Sequence, residues 1–176
     1  TSAVAIPTST LTSFSNVSTV TESSSFSGTK TNVQVANNAL RMTTVSGTSN
    51  TGSYVFSSDI NIGSLKTVRA EIIVNTIRLD TSTDLTLWDA IGGGSTTWDQ
   101  LTGNVDDLSG TTSQQKDSDV QFFIEPSASN SFTGTFQRFR AGFFTGQYFR
   151  FKIVLSSTST NITPSISLLK AEVRYN

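Results

Sequence analysis

The sequence has no cysteine and no histidine, a single methionine, three prolines, and only 14% charged residues in a chain of 176. Without thiols or imidazoles there is no disulfide framework, no Cys/His zinc site, and no Ser-His-Asp or Cys-His nucleophile pair. Twelve Lys+Arg against thirteen Asp+Glu leave a formal net charge of −1. A protein that neutralises phosphates needs a basic excess, so nucleic acid is not expected as a partner. No run approaches the roughly 20 apolar residues that cross a bilayer, and the start lacks a basic-then-apolar signal, so the chain is not expected to be membrane-embedded. The only methionine is Met42 and the chain begins at Thr1. We therefore expect a piece of a longer polypeptide.

What is present is hydroxyl and aromatic. Ser and Thr total 56 residues, yet 12 Phe, 3 Tyr and 2 Trp supply the large apolar side chains that disordered segments lack. A Thr-rich, aromatic, charge-poor composition with 12 Gly reads as all-β. Residues 1–31 read as an N-terminal arm or linker merging into a first edge strand. From Thr31 the pattern sharpens to a period of two. Val33 and Val35 alternate with polar residues, Asn37-Asn38 offers left-handed positions, and Leu40 and Met42 resume, which predicts a hairpin. Val68, Ala70, Ile72 and Val74 form a one-sided strand, as do Val120, Phe122 and Ile124, then Phe149, Phe151, Ile153 and Leu155, and finally Leu169, Ala171, Val173 and Tyr175. No 3.6-residue stripe competes. Several antiparallel strands joined by Gly/Ser/Asn turns predict a β-sandwich of jelly-roll type over residues 32–176.

The alternation lapses between Asp80 and Asp119. This long loop, 80–119, holds eight of the thirteen acidic residues, both tryptophans, and Gly92-Gly93-Gly94 between them. Loops of that length in compact domains are functional or docked on something.

The run from Tyr54 through Asp59, Gly63 and Lys66 to Arg69 resembles a segment of tail-tip proteins of long-tailed bacteriophages, the host-specificity or central tail fibre group. Leu87-Trp88-Asp89, Trp98-Asp99 and Val105-Asp106-Asp107-Leu108 are similar to the Trp-Asp turns such domains carry in a long loop. Arg140-Ala141-Gly142 through Tyr148-Phe149-Arg150-Phe151-Lys152 resembles their aromatic-basic strand, and Leu155 through Pro164 to Tyr175 their C-terminal end. The third aromatic-Asp turn has Val105, and Phe132 and Phe136 stand where such domains often have Trp. The resemblance covers roughly residues 30 to 176. It implies a β-sandwich accessory domain of a virion polypeptide that commonly trimerises, at the phage tail and extracellular, with other tail proteins and a host-surface glycan or outer-membrane receptor as partners, no cofactor, and no enzymatic activity.

Trp88 and Trp98 with Asp89 and Asp99 form the sharpest ligand-binding candidate, since an aromatic platform stacks on a sugar face while carboxylates accept hydroxyl hydrogen bonds. The plainer reading has each Trp anchoring its loop and each Asp capping a turn. The Asp cluster lacks the spacing of a calcium loop, and no metal site is assigned. Arg138, Arg140, Arg150 and Lys152 gather positive charge opposite in sign to the acidic loop, which suits either an assembly contact between subunits or an ordinary solvated sheet face. Glu71, Glu125 and Glu172 read as ordinary surface charges. The alternative to a tail component is a carbohydrate-binding module from a bacterial glycosidase or surface protein.

Overall fold

A computed structural model describes residues 14–43, 50–80, 118–140, 142–158 and 162–176. The secondary structure of these residues is entirely β, in ten strands: β1 (Asn16–Thr21), β2 (Thr29–Thr31), β3 (Val33–Ala36), β4 (Ala39–Met42), β5 (Asn50–Val55), β6 (Ile60–Asp80), β7 (Ser118–Ser127), β8 (Gln137–Arg138), β9 (Gly142–Ser157) and β10 (Ile162–Tyr175). Every strand pairing is antiparallel. The predicted hairpin is β3–β4, with Val35 opposite Leu40 and both Asn37 (φ 53°) and Asn38 (φ 58°) left-handed. That pair of angles matches the right-handed twist of the flanking strands.

Three long strands organise the sheet by changing partners along their length. On one side of β9 lies β7. The other side pairs with β5 from Lys152 to Ser157 and with β6 from Gly142 to Phe149. In turn β6 bonds to β9 only as far as Ala70 and then continues beside β10 alone. Across β10, β1 covers the C-terminal half and β4 the N-terminal half. The path then curls back on itself, because β3 meets β5: a Cβ built on Gly52 would lie 2.6 Å from Val33 Cγ1 and 2.7 Å from Asn32 O. The result is a nearly closed antiparallel sheet whose concave face is the core.

The alternating residues fill that core as expected. Phe149, Phe151, Ile153 and Leu155 are wholly buried, as are Val68, Ala70, Ile124, Leu169, Ala171 and Val173. Phe26 joins them from a stretch that the composition marks only as hydroxyl-rich. The turn between β1 and β2 delivers it, with Phe26 N–H bonded to Glu22 O (2.8 Å) and left-handed angles at Ser24 and Phe26. Glu22, one residue past β1, is buried beneath it. Its carboxylate accepts from the Tyr54 hydroxyl and from Ser57 N–H and Oγ–H, both at 2.8 Å, while the Tyr54 oxygen accepts Gly28 N–H at 2.8 Å. Four hydrogen bonds thus satisfy the buried Glu22 carboxylate and Tyr54 hydroxyl, which apolar burial would otherwise penalise.

Candidate functional site

The concave face is sealed at one end and open at the other. Along β6 its inward residues grade from buried Val68 and Ala70, through half-buried Ile72 and Val74, to exposed Thr76 and Arg78. The matching residues of β7 grade the other way, from buried Ile124 through half-buried Phe122 and Val120 to Ser118. Where the two strands diverge they leave a cleft of about 390 Å³, with Pro164 of β10 contributing to its lining. Val74, Ile77, Val120, Phe122 and Pro164 provide apolar lining, and Thr76, Arg78, Ser118 and Asp119 provide polar lining. The volume lies within the range of small-molecule sites, and the mixture suits a ligand with one apolar face and several hydroxyl or acidic groups. An arginine fork donates to such groups, a carboxylate accepts from hydroxyls, and an aromatic face stacks.

The chain leaves the described residues after Asp80 and re-enters at Ser118, both at this open end. Trp88, Asp89, Trp98 and Asp99 lie outside the described residues, as does the acidic loop apart from its ends. Among the described residues no group of three or more carboxylates is placed to hold a metal ion.

The basic stretch divides into two kinds. Arg150 makes a bidentate pair with Asp59, Nε to Oδ1 at 2.9 Å and a terminal nitrogen to Oδ2 at 3.1 Å, and its guanidinium lies 4.0 Å from the centre of the Phe132 ring. The hydrogen bond to Asp59 raises the Arg150 pKa further. Lys152 sits 5.3 Å from the centre of the Phe136 ring. Both cations are therefore engaged inside the chain, whereas Arg138, in β8 opposite Phe123, and Arg140 are exposed.

Phe132 and Phe136 belong to a strap, residues 128–136, that crosses the outer face of β7 and β9. Glu125 fastens it. This residue is only 4% exposed, and its Oε1 accepts Thr133 and Gly134 N–H at 2.8 Å, Thr135 N–H at 3.1 Å and the Thr133 hydroxyl at 3.2 Å. The expectation of an ordinary surface charge fails here, because three successive amides turned by Gly134 (φ 81°) form a nest around the carboxylate. Thr133-Gly134-Thr135 is the trace such a nest leaves in a sequence. Glu172 departs from the same expectation: it is 7% exposed and directly opposite Glu71, and Arg174 bridges the two carboxylates while Arg69 pairs with Glu71 and Lys170 with Glu172. The Lys170 hydrogen bond, with help from Arg174, holds its carboxyl below the usual range against the opposing effect of burial.

No protein-family model, no curated protein and no solved structure matches the chain.

Proposed function

We propose that this chain is a domain of a phage tail-tip or tail-fibre protein, a non-catalytic virion component that takes part in tail assembly and host-cell attachment, with its nearly closed sheet flattened into a jelly-roll sandwich. The observation that carries the reading is the ordered set of motifs from residue 54 to residue 175. Among the described residues those motifs fall on β5, β6, β9 and β10, while the Trp-Asp turns between them lie outside the described residues. In this reading the sheet is a stiff mount, and its open end, with the cleft, faces the cell. Several copies in the virion multiply weak contacts into firm attachment.

The test is adsorption. The purified chain, fluorescently labelled, is expected to bind particular bacterial strains and to compete with a phage for them. Failure to bind any of a broad strain panel, with the fold verified by circular dichroism, overturns attachment. Trp88→Ala and Trp98→Ala separate roles within it: retained folding with lost cell binding makes them receptor contacts, and lost folding makes them anchors. The polar and apolar lining of the cleft favours a second reading, a carbohydrate-binding module. Tight binding to one soluble polysaccharide on a glycan array, without attachment to whole cells, selects that reading.

A further inference from the structure

Beyond Ala70, β6 bonds to β10 alone, so among the described residues no strand pairs with its other edge from Glu71 to Leu79. Such edges are ordinarily guarded by charge, proline or a bulge, since their free N–H and C=O groups template pairing with another chain. Among the described residues, β6 from Ile72 to Ile77 carries no charge, no proline and no inserted residue of its own. Charge stops at Glu71 and resumes at Arg78, and the run between, Ile72-Ile73-Val74-Asn75-Thr76-Ile77, is mostly β-branched. The register shift of β6 against β9 lies earlier, between Asn61 and Lys66, and the bulge beside Asn75 and Thr76 places its extra residue, Ser167, in β10 on the opposite side of the strand. Its outward face is apolar as well: Ile73 is 40% exposed and Ile77 60%, and Leu168, the cross-strand partner of Asn75, is 39% exposed.

We infer that this edge is covered by the same edge of a second copy, paired antiparallel about a two-fold axis at Asn75, so that one sheet runs through both chains. The pattern selects this occupant and this register. With the axis at Asn75, Ile73 of each copy meets Ile77 of the other, burying four exposed isoleucines in two direct cross-strand pairs. Moving the axis to residue 74 or 76 sets Asn75 against Ile73 or Ile77 and breaks both isoleucine pairs. Charge agrees, because Glu71 then faces Leu79 and Arg78 faces Ile72, and no like charges meet. The contact is isologous and consumes both free edges, so it closes as a dimer and does not propagate. It does not rest on the tail reading.

The chain has no cysteine of its own, so a single introduced thiol reports unambiguously. Directly opposed strand positions bring Cβ atoms to about 4.5–5.5 Å, close enough to bridge after small adjustment. Under mild oxidation, Asn75→Cys is expected to give a disulfide-linked dimer far faster than Asn16→Cys at an exposed position of β1. Sedimentation of the unmodified chain is expected to show a monomer–dimer equilibrium, and Ile77→Lys, at an exposed position, to weaken it by about tenfold or more while leaving the circular dichroism spectrum unchanged. The inference is overturned if Asn75→Cys cross-links no faster than the control. It is equally overturned if the unmodified chain stays monomeric at its highest soluble concentration, or forms trimers in which the 75–75 cross-link is missing.

Discussion

At Gly28 a side chain has nowhere to go: a Cβ would fall 2.0 Å from Val55 O and 2.8 Å from Ser57 N, both backbone atoms. Gly28→Ala must therefore shift β5 or break the bond from Gly28 N–H to Tyr54, and a loss of about 2 kcal/mol or more is expected, a fall of about 5 °C in a melt. Gly63 is the instructive contrast. Its left-handed angle (φ 83°) faces open space, so Gly63→Asn is expected to cost well under ~1 kcal/mol in the same melt, because Asn tolerates that conformation. Tyr54→Phe removes one oxygen and strands two groups, Gly28 N–H and one Glu22 oxygen, at an expected cost of about 1–3 kcal/mol by urea unfolding. Burial, then the bond to Glu22, pushes the Tyr54 phenol well above its ordinary value. Above about pH 10 the unfolded chain loses that proton while the native chain keeps it, so stability falls with rising pH in the alkaline range. Tyr54→Phe is expected to remove that part of the slope. None of this network is legible in the sequence, since Glu22, Gly28, Tyr54 and Ser57 are scattered over 36 positions and meet only through left-handed angles that no propensity reveals.

Between β6 and β10 the opposed Glu71 and Glu172 are held by three cations, and the fold lowers the Glu172 pKa. A carboxyl with a depressed native pKa contributes stability above its unfolded value, near 4.3, and loses it as pH falls through the native value. Stability is therefore expected to fall on acidification with a steeper slope for the natural chain than for Glu172→Gln, by urea unfolding at a series of pH values. The strap gives a second prediction for an element. Glu125→Ala removes the acceptor of four hydrogen bonds, so amides of residues 133–135 are expected to exchange with deuterium at least about tenfold faster while those of β9 keep their protection. Alternation made the strands readable, because one-sided burial writes itself at period two. Glu125 was hidden because its polar position on β7 is buried by a strap from outside the sheet, which alternation along a single strand does not register.

For the molecule as a whole, the sequence supports an all-β antiparallel chain, its longest strands and the β3–β4 turn. It does not disclose which strands neighbour which, because β6, β9 and β10 each exchange partners midway, and only three-dimensional curvature decides where. The open end of the sheet was legible only as the place where alternation lapses at Asp80 and resumes by Val120. The pairing of β1 with β10 has a mechanical consequence. Asn16 lies opposite Tyr175, and Ser15 N–H bonds Asn176 Oδ1 at 3.1 Å, so the two ends of the described chain emerge side by side. Tension applied through those ends peels β1 from β10 one bond at a time, where pulling along opposed directions would have to shear all the bonds at once. Stretched in an optical trap, the domain is expected to yield at low force when held at residues 15 and 176, and at much higher force when held at residues 15 and 157. A load carried past this fold would open that zipper before it disturbed the core or the cleft.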